Sequence, residues 1–381
     1  MSCSEIYVTD KGNIYGIDKE NKPKLLMKNK NVVQIESCNT HALILTDQGE
    51  IYVWGDNYRC QLGLPKVRCV SELTLLVKDV NICKIYCFYD NSIYYKNDGQ
   101  IYIFGKIFWE NGKKPKYLVT IPNAVSILRY DHIIYILKNN GEILECSLYN
   151  PKANNVIHKN EKIIKLFNSS YAGCNDTLIF GLTIDNDIVV IQKKINGFVK
   201  CIYAYKFSME SQIKNIIFDA NPWCLSLSST KYDWIIRLLV LNNSNEVYDI
   251  KFSYLSNLCN DNDACEIIDL QNYVPQIKGI AQIGHHYGND IFINNKQIII
   301  RNNYKRFANI SYKNIEILYE DNITSISNCS IFHWTPTSHK FFSVHFKKTI
   351  YSFLCCLKRI QCETKIKIPK FVLFEIIKFT I

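Results

Sequence analysis

Four carboxylates, Asp261, Asp263, Glu266 and Asp269, fall within nine residues and could in principle chelate a hard cation. A calcium loop needs a turn glycine and a terminal bidentate glutamate at fixed spacing, and the stretch Ser253 to Asn272 has neither in place. It reads as a solvated inter-repeat loop, with a partner-binding loop as the alternative, since long insertions often carry function. The sixteen cysteines are spread singly through the chain. Neither Cys83/Cys87 nor Cys355/Cys356/Cys362 is joined by a second ligand pair at zinc spacing. No phosphate-cradling glycine loop, Gly-x-Ser-x-Gly elbow, His-Glu-x-x-His or kinase signature occurs. The sequence therefore predicts no enzyme activity, metal or cofactor, and the question becomes what scaffold its 381 residues build.

The composition favours a large β core. Hydrophobic residues make up 48%, including 25 Tyr and 19 Phe, and 381 residues can be held by one closed ring of repeated sheets. Scattered cysteines in a long chain fit a reducing compartment better than a disulfide framework. The N-terminal residues resemble no leader, and no apolar run reaches the ~18–20 residues of a membrane span, so an intracellular protein of cytoplasm or nucleus is expected. The formal charge of +10 is uneven: residues 339–381 hold nine basic and two acidic side chains, a net of +7, leaving about +3 for the other 338. So nearly neutral a body argues against nucleic acid as a partner.

A hairpin pattern organises the chain, with β-branched or aromatic residues on both sides of a small polar turn. It occurs around Gly12, Gly49, Gly99 and Gly141, and in weaker form at Asp185–Ile188, Asn242–Tyr248 and Asn294–Ile298. Glycine, or Asn in its place, belongs there because a tight hairpin needs positive φ. A second marker is a strand start with two apolar positions three apart: Val32/Ile35, Ile82/Ile85, Ile163/Leu166, Ile213/Ile216, Ile277/Ile280 and Ile323/Ile326, shortened at Val125/Ile127. Each series has seven members. The first turn has no start before it and the last start has no turn after it, so pairing them across the two ends of the repeat array completes a seventh unit and removes exposed sheet edges. In the repeat that carries an insert, Trp223, Tyr232 and Trp234 are candidate interface anchors, although Trp234–Val240 reads as a buried strand.

The second repeat carries a resemblance. The run Val33-Gln-Ile35-Glu-Ser-Cys38-Asn-Thr-His41-Ala-Leu-Ile-Leu45 through Gly49, Trp54-Gly55, Asn57 and Gln61-Leu62-Gly63 is similar to the repeat of the regulator-of-chromosome-condensation family. Phe104-Gly105 preserves part of it, and His285-His286 sits where another repeat histidine is expected. The resemblance implies an all-β, seven-bladed propeller over 1–334, with His41, Gly49, Trp54, Gly55, Asn57, Gln61, Gly63, Gly99, Gly105 and Gly141 bracing turns and neighbouring blades. It also implies two alternative activities: guanine-nucleotide exchange on a Ran-like small GTPase, for which Asp261–Asp269 is the one candidate wedge, or chromatin binding.

After Trp334 the period changes from two to about 3.6. An amphipathic helix is expected through Ile350, Leu354 and Cys355, and Pro369 opens a second one through Leu373 and Ile377. This 339–381 segment resembles a suppressor-of-cytokine-signalling box, and its Ile368-Pro369 stretch resembles the start of an F-box. Both resemblances imply recruitment of a cullin-type ubiquitin ligase through an adaptor. The other readings are a helical cap docked on the propeller or a basic tail binding acidic surfaces. The expected protein is thus a monomeric interaction module whose propeller binds protein targets.

Overall fold

The computed structural model describes residues 6–326 with internal gaps, the longest at 169–176, 220–233, 255–266, 270–276 and 303–311; residues 327–381 lie outside it. Among the described residues every regular element is a β-strand, and no helix is long and apolar enough to cross a membrane. The strands make seven sheets, six with four strands and one with five. Sheet 1 holds β1 (Ile6–Thr9), β2 (Ile14–Ile17) and β3 (Pro23–Met27), sheet 2 holds β4 (Val32–Ser37), β5 (His41–Thr46), β6 (Glu50–Asp56) and β7 (Cys69–Lys78), and sheet 3 holds β8 (Ile82–Phe88), β9 (Asn91–Lys96), β10 (Gln100–Ile107) and β11 (Glu110–Thr120). Sheet 4 holds β12 (Ala124–Tyr130), β13 (Ile133–Lys138), β14 (Glu142–Ser147) and β15 (Asn154–Lys159), and sheet 5 starts with β16 (Ile163–Asn168), β17 (Thr177–Thr183), β18 (Ile188–Lys193) and β19 (Val199–Ser208). Sheet 6 holds β20 (Ile213–Asp219), β21 (Trp234–Asn242) and β22 (Glu246–Tyr254); β23 (Ile267–Asp269) then returns to sheet 5, and β24 (Ile277–Lys278) completes sheet 6. Sheet 7 holds β25 (Gln282–His286), β26 (Asn289–Ile293), β27 (Gln297–Asn302) and β28 (Tyr312–Glu316), and β29 (Ile323–Ile326) pairs antiparallel with β1 as the fourth strand of sheet 1.

In six of the sheets the first strand carries an apolar pair at the position noted in the sequence, except that in sheet 4 the pair is Ala124 and Ile127 rather than Val125 and Ile127. Two residues three apart point to opposite faces of a regular strand. Here a bulge separates them, between Val32 and Gln34, Ile82 and Lys84, Ala124 and Ser126, Ile163 and Lys165, Ile213 and Asn215, and Ile323 and Ser325. The inserted residue returns both apolar side chains to one face, and Ile82 with Ile85, or Ile163 with Leu166, are accordingly buried together.

The residue just after the bulge is polar and reaches the next sheet. The Gln34 amide donates to the Ile85 carbonyl (2.8 Å), and its oxygen accepts from the Ile85 N–H (2.9 Å). Lys84 Nζ donates to the Val125 carbonyl, and Ser126 Oγ accepts from Leu166 N–H (3.4 Å). Sheets 2 to 5 are stitched in sequence by the same register position.

Burial is graded across each sheet. All six residues of β5 are buried, whereas β7 alternates between exposed and half-buried positions. A second strand covered on both faces needs a continuous apolar run such as Ala42-Leu-Ile-Leu45. The core is accordingly a series of layers between neighbouring sheets: Ile6, Ile14, Ile35 and Ile44 between sheets 1 and 2, Leu43, Val53, Ile85 and Phe104 between 2 and 3, Ile93, Ile103, Ile127 and Ile136 between 3 and 4, Leu137, Ile143, Ile163 and Ile191 between 4 and 5, and Leu241, Val247 and Phe292 between 6 and 7. Each such side chain contributes about 1.5–3 kcal/mol on burial.

The turns between second and third strands repeat one geometry. Gly12, Gly49, Gly99 and Gly141 have φ of 73, 69, 92 and 80°, and Asn245 has 60°. Each N–H closes the turn on the carbonyl three residues back, and each carbonyl accepts from a crossing segment: Lys30, Asp79, Ile121, Asn160 and Ile280 are the donors. The residue after the turn anchors a side-chain cluster. Glu50 takes Lys30 (2.9 Å), Lys78 (3.0 Å) and the Tyr52 hydroxyl (3.2 Å), and these, Lys30 foremost, hold its carboxyl down to about 2. Gln100 with Tyr102, and Glu246 with Lys278 and Tyr248, repeat the arrangement.

Two further sequence expectations change. Ile277 does not open a sheet: it lies in β24 at the end of sheet 6, where it pairs with Val247. The apolar pair of sheet 7 is Ile280 and Ile283, both buried, because Gly279 (φ 76°) turns the chain between them and β24. The stretch from Ser253 to Asn272 is not wholly loop: Ser253 ends in β22, and Ile267–Asp269 pairs in parallel with Lys206–Ser208 of β19. Trp234–Val240 is a strand, as expected. The helices expected over 339–381 fall outside the described residues.

Two substitutions probe this framework. Gln34→Ala strands a buried N–H and carbonyl of Ile85 and should cost about 2–4 kcal/mol in denaturant unfolding. Gly99→Ala, whose Cβ would sit 2.8 Å from the Pro122 nitrogen at φ 92°, should cost about 1–3 kcal/mol, whereas Asn245→Gly should be nearly neutral in the same assay.

Candidate interaction site

His41 opens β5 and is fully buried between sheets 2 and 3. The Ser92 hydroxyl donates to the Gln61 carbonyl (2.9 Å), so toward His41 Nε2 (2.7 Å) it must act as acceptor. That places the imidazole proton on Nε2 and leaves Nδ1 a bare acceptor facing Cys38 Sγ, 3.0 Å away, whose thiol also has the Phe88 carbonyl within reach at 3.2 Å. Cys38, His41 and Ser92 thus contain the residue types of a nucleophile and base. Yet burial drives the imidazole down to about 3, which leaves it neutral and a poor proton acceptor near pH 7. The cluster holds β4, β5 and β9 to the chain after β6.

Opposite His41 in the ladder is Gly55, and opposite Asn91 is Gly105; both glycines have φ of 107°. Each follows an aromatic at a bulge, Val53/Gly55 and Ile103/Gly105. At Gly105 a Cβ would lie 2.5 Å from Asn91 Cα. The aromatic leans on the preceding sheet: Trp54 joins the layer with Leu26 and Met27, and Phe104 packs against Gly63 and Leu76. Gly63 (φ 68°) is open enough for that contact, since a Cβ there would come 3.0 Å from the Phe104 ring.

Beyond β6 the chain makes a loop, 57–68, built on two buried amides. Asn57 Nδ2 donates to the carbonyls of Leu64 (2.7 Å) and Val67 (2.6 Å), and its Oδ1 accepts from Leu62 N–H (2.8 Å). Gln61 Oε1 accepts from Arg59 N–H (2.7 Å), while its Nε2 donates to Asp56 (3.2 Å). Leu62 is buried in the layer shared with sheet 3. With its base fixed in this way, the loop turns outward the side chains of Tyr58, 64% exposed, Arg59, Lys66, Val67 and Arg68. They line a shallow depression of about 420 Å³ together with Asn57 and Cys60. The Arg59 guanidinium lies 5.6 Å from the Tyr58 ring centre.

The sequence-predicted residues divide accordingly. His41, Trp54, Gly55, Asn57, Gln61 and Gly63 converge on the seam between sheet 2 and its neighbours, while Gly49, Gly99, Gly105 and Gly141 occupy the turns and bulges described above. Asp269 lies on β23; Asp261, Asp263 and Glu266 are outside the described residues, as are Ile350, Leu354, Cys355, Pro369, Leu373 and Ile377. His285 and His286 end β25, a first strand, so they do not occupy the His41 position; the residue that opens the second strand of sheet 7 is Asn289. Sequence reasoning missed Ser92, and it missed Tyr58, Arg59, Lys66 and Arg68, although an aromatic and three cations within eleven residues of a motif was a readable signal. Among the described residues no cluster of His, Cys, Asp and Glu could hold a metal ion.

If the imidazole is neutral when folded and protonates near 6.5 when unfolded, the unfolded state gains a proton first as pH falls. Stability should therefore decline from about pH 6.5 toward about 3, and His41→Gln should flatten that decline in urea titrations at stepped pH. Ser92→Ala, which leaves Nε2–H without an acceptor, should cost about 1–3 kcal/mol in the same experiment.

A model of the regulator of chromosome condensation (RCC1) repeat matches residues 32–61, the segment that carries His41, Trp54-Gly55, Asn57 and Gln61. Among solved structures, Prp20p from Saccharomyces cerevisiae aligns over 84% of this chain and 87% of its own, at 11% identity and TM-score 0.51. Yeast RCC1 (Prp20) bound to Kap60 aligns over 84% of both chains at 12% identity and TM-score 0.51, and apo AztD from Citrobacter koseri over 86% and 97% at 8% and 0.50. No curated protein matches the chain. With one repeat matched in sequence and the strand arrangement matched over most of the chain, the fold is that of an RCC1-like propeller.

Proposed function

We propose that the chain is a seven-bladed interaction propeller that works by binding other proteins inside the cell rather than by catalysis. The observation that carries this reading is the repeated first strand, an apolar pair around a bulge followed by a polar residue that grips the next sheet, with the first sheet completed by β29. Such a scaffold spends its buried polar groups on internal bracing and leaves its loops to meet partners.

Two finer roles belong to the same reading. Exchange activity on a small GTPase is favoured by the likeness to Prp20p, a structure described together with its binding properties to Gsp1p and histones. Recruitment of a ubiquitin-ligase adaptor by residues 339–381 rests on the sequence resemblance of that segment. Affinity capture with the full chain and with a 1–338 truncation, read by mass spectrometry, separates them. Partners common to both forms belong to the propeller, and adaptor and cullin subunits are expected only with the tail. Capture of no protein by either form would overturn the interaction reading, and accelerated nucleotide release from a panel of small GTPases would select the exchange role.

A further inference from the structure

We infer that the 57–68 loop is a docking site for an acidic peptide segment of a partner protein, an assignment that rests on the interaction reading and gives it a place and a chemistry. Arg59, Lys66 and Arg68 form no ion pair among the described residues, and all three are exposed beside Tyr58 and Val67. Asp56, at the base of the loop, is already engaged by the Tyr58 N–H (3.1 Å) and by Gln61. The patch is thus cationic without internal compensation, and it has an apolar component as well.

Rigidity makes the patch more than a charged surface. Asn57 fixes three backbone groups of the loop, and Gln61 and Leu62 anchor it to sheet 3. Cys60 and Lys66 are held at φ of 60 and 66°, a conformation that costs energy for residues other than glycine. A loop already fixed in shape loses little entropy when a partner arrives. Tyr and Arg, the residue types over-represented at energetic centres of interfaces, stand together at its tip.

The occupant is identified by complementarity. Three cations call for carboxylates, and the exposed Tyr58 ring and Val67 side chain call for an apolar side chain between those carboxylates. A peptide supplies both within a few residues. A nucleic acid supplies phosphates over a long track, and outside residues 339–381 this chain carries a net charge of only about +3 to follow it.

The test is fluorescence anisotropy of a labelled dodecapeptide of Asp and Glu interrupted by Leu, titrated with the full chain at about 50 and about 200 mM salt. The triple variant Arg59→Glu/Lys66→Glu/Arg68→Glu should bind at least about tenfold more weakly and lose most of the salt dependence. Tyr58→Ala should weaken binding by about fivefold at either salt, and Lys152→Glu, on an exposed turn after β14, should change nothing. All the altered side chains are exposed, so thermal unfolding should stay at the wild-type midpoint; should the triple variant fail to fold, Tyr58→Ala carries the test alone. The assignment is overturned if the triple variant binds as the wild type does, if a Leu→Ser peptide binds equally well, or if duplex DNA competes at the same concentration as the peptide. Affinity capture with the triple variant keeps the two claims apart: propeller partners retained by both wild type and variant would leave the interaction reading standing and remove the loop from it.

Discussion

The structure depends on a side chain crossing from one sheet to the backbone of the next. Gln34 satisfies both backbone groups of Ile85, Lys84 reaches Val125, and Ser126 receives Leu166. First strands that lie next to first strands of other sheets cannot form a shared ladder, so their inward backbone groups need partners from elsewhere. In sheets 2, 3 and 4 one polar residue, placed by a bulge, supplies them. The apolar layers add most of the stabilisation, but they are non-directional; the polar stitch fixes which part of one sheet faces which part of the next.

The second repeat concentrates additional devices. His41, Ser92, Cys38 and the Gln61 carbonyl tie sheet 2 to sheet 3, while Asn57 and Gln61 organise the loop beyond β6. Elsewhere the same positions are simplified. Asn91 opens the second strand of sheet 3, pairs with Gly105 and sends its amide to the Lys106 carbonyl. Sheet 4 begins its second strand with Ile133 and has no aromatic-glycine pair. This explains why only residues 32–61 match the repeat in sequence although the sheet arrangement extends much further: apolar layering and bulged first strands maintain the fold where the motif residues have been replaced.

The sequence made much of this legible. Turn positions could be read because positive φ restricts residue choice, and Gly12, Gly49, Gly99, Gly141 and Asn245 obey it. The apolar pairs marked the first strands even though their spacing of three is wrong for a flat strand, and the bulge resolves that conflict. The polar residue within each pair was visible in every copy but is interpretable only once its target on the next sheet is known. The misplacement at Ile277 had a similar origin: β24 and β25 are separated by one tight turn, so Ile277 in β24 and Ile280 just ahead of β25 imitate one strand start. The loop at 57–68 escaped notice because its function as a surface depends on Asn57 and Gln61, residues whose buried side chains give no hint of what they hold outward.

The pairing of β1 with β29 has a consequence in time. Thr9 meets Ile323 and Tyr7 meets Ile326, so β1 to β3 leave the ribosome long before β29, the strand that completes their sheet. At translation rates of about 5–20 residues per second, β1 to β3 wait on the order of tens of seconds with one edge unpaired. Sheets 2 to 5 can meanwhile stack outward from β4 through contacts between sequence neighbours. Closing so long a loop costs only a few kcal/mol of chain entropy, so an assembled row of sheets brings the two ends together at modest cost. During that wait the open edge of β1 is where a chaperone, or a second nascent chain, would find an exposed strand.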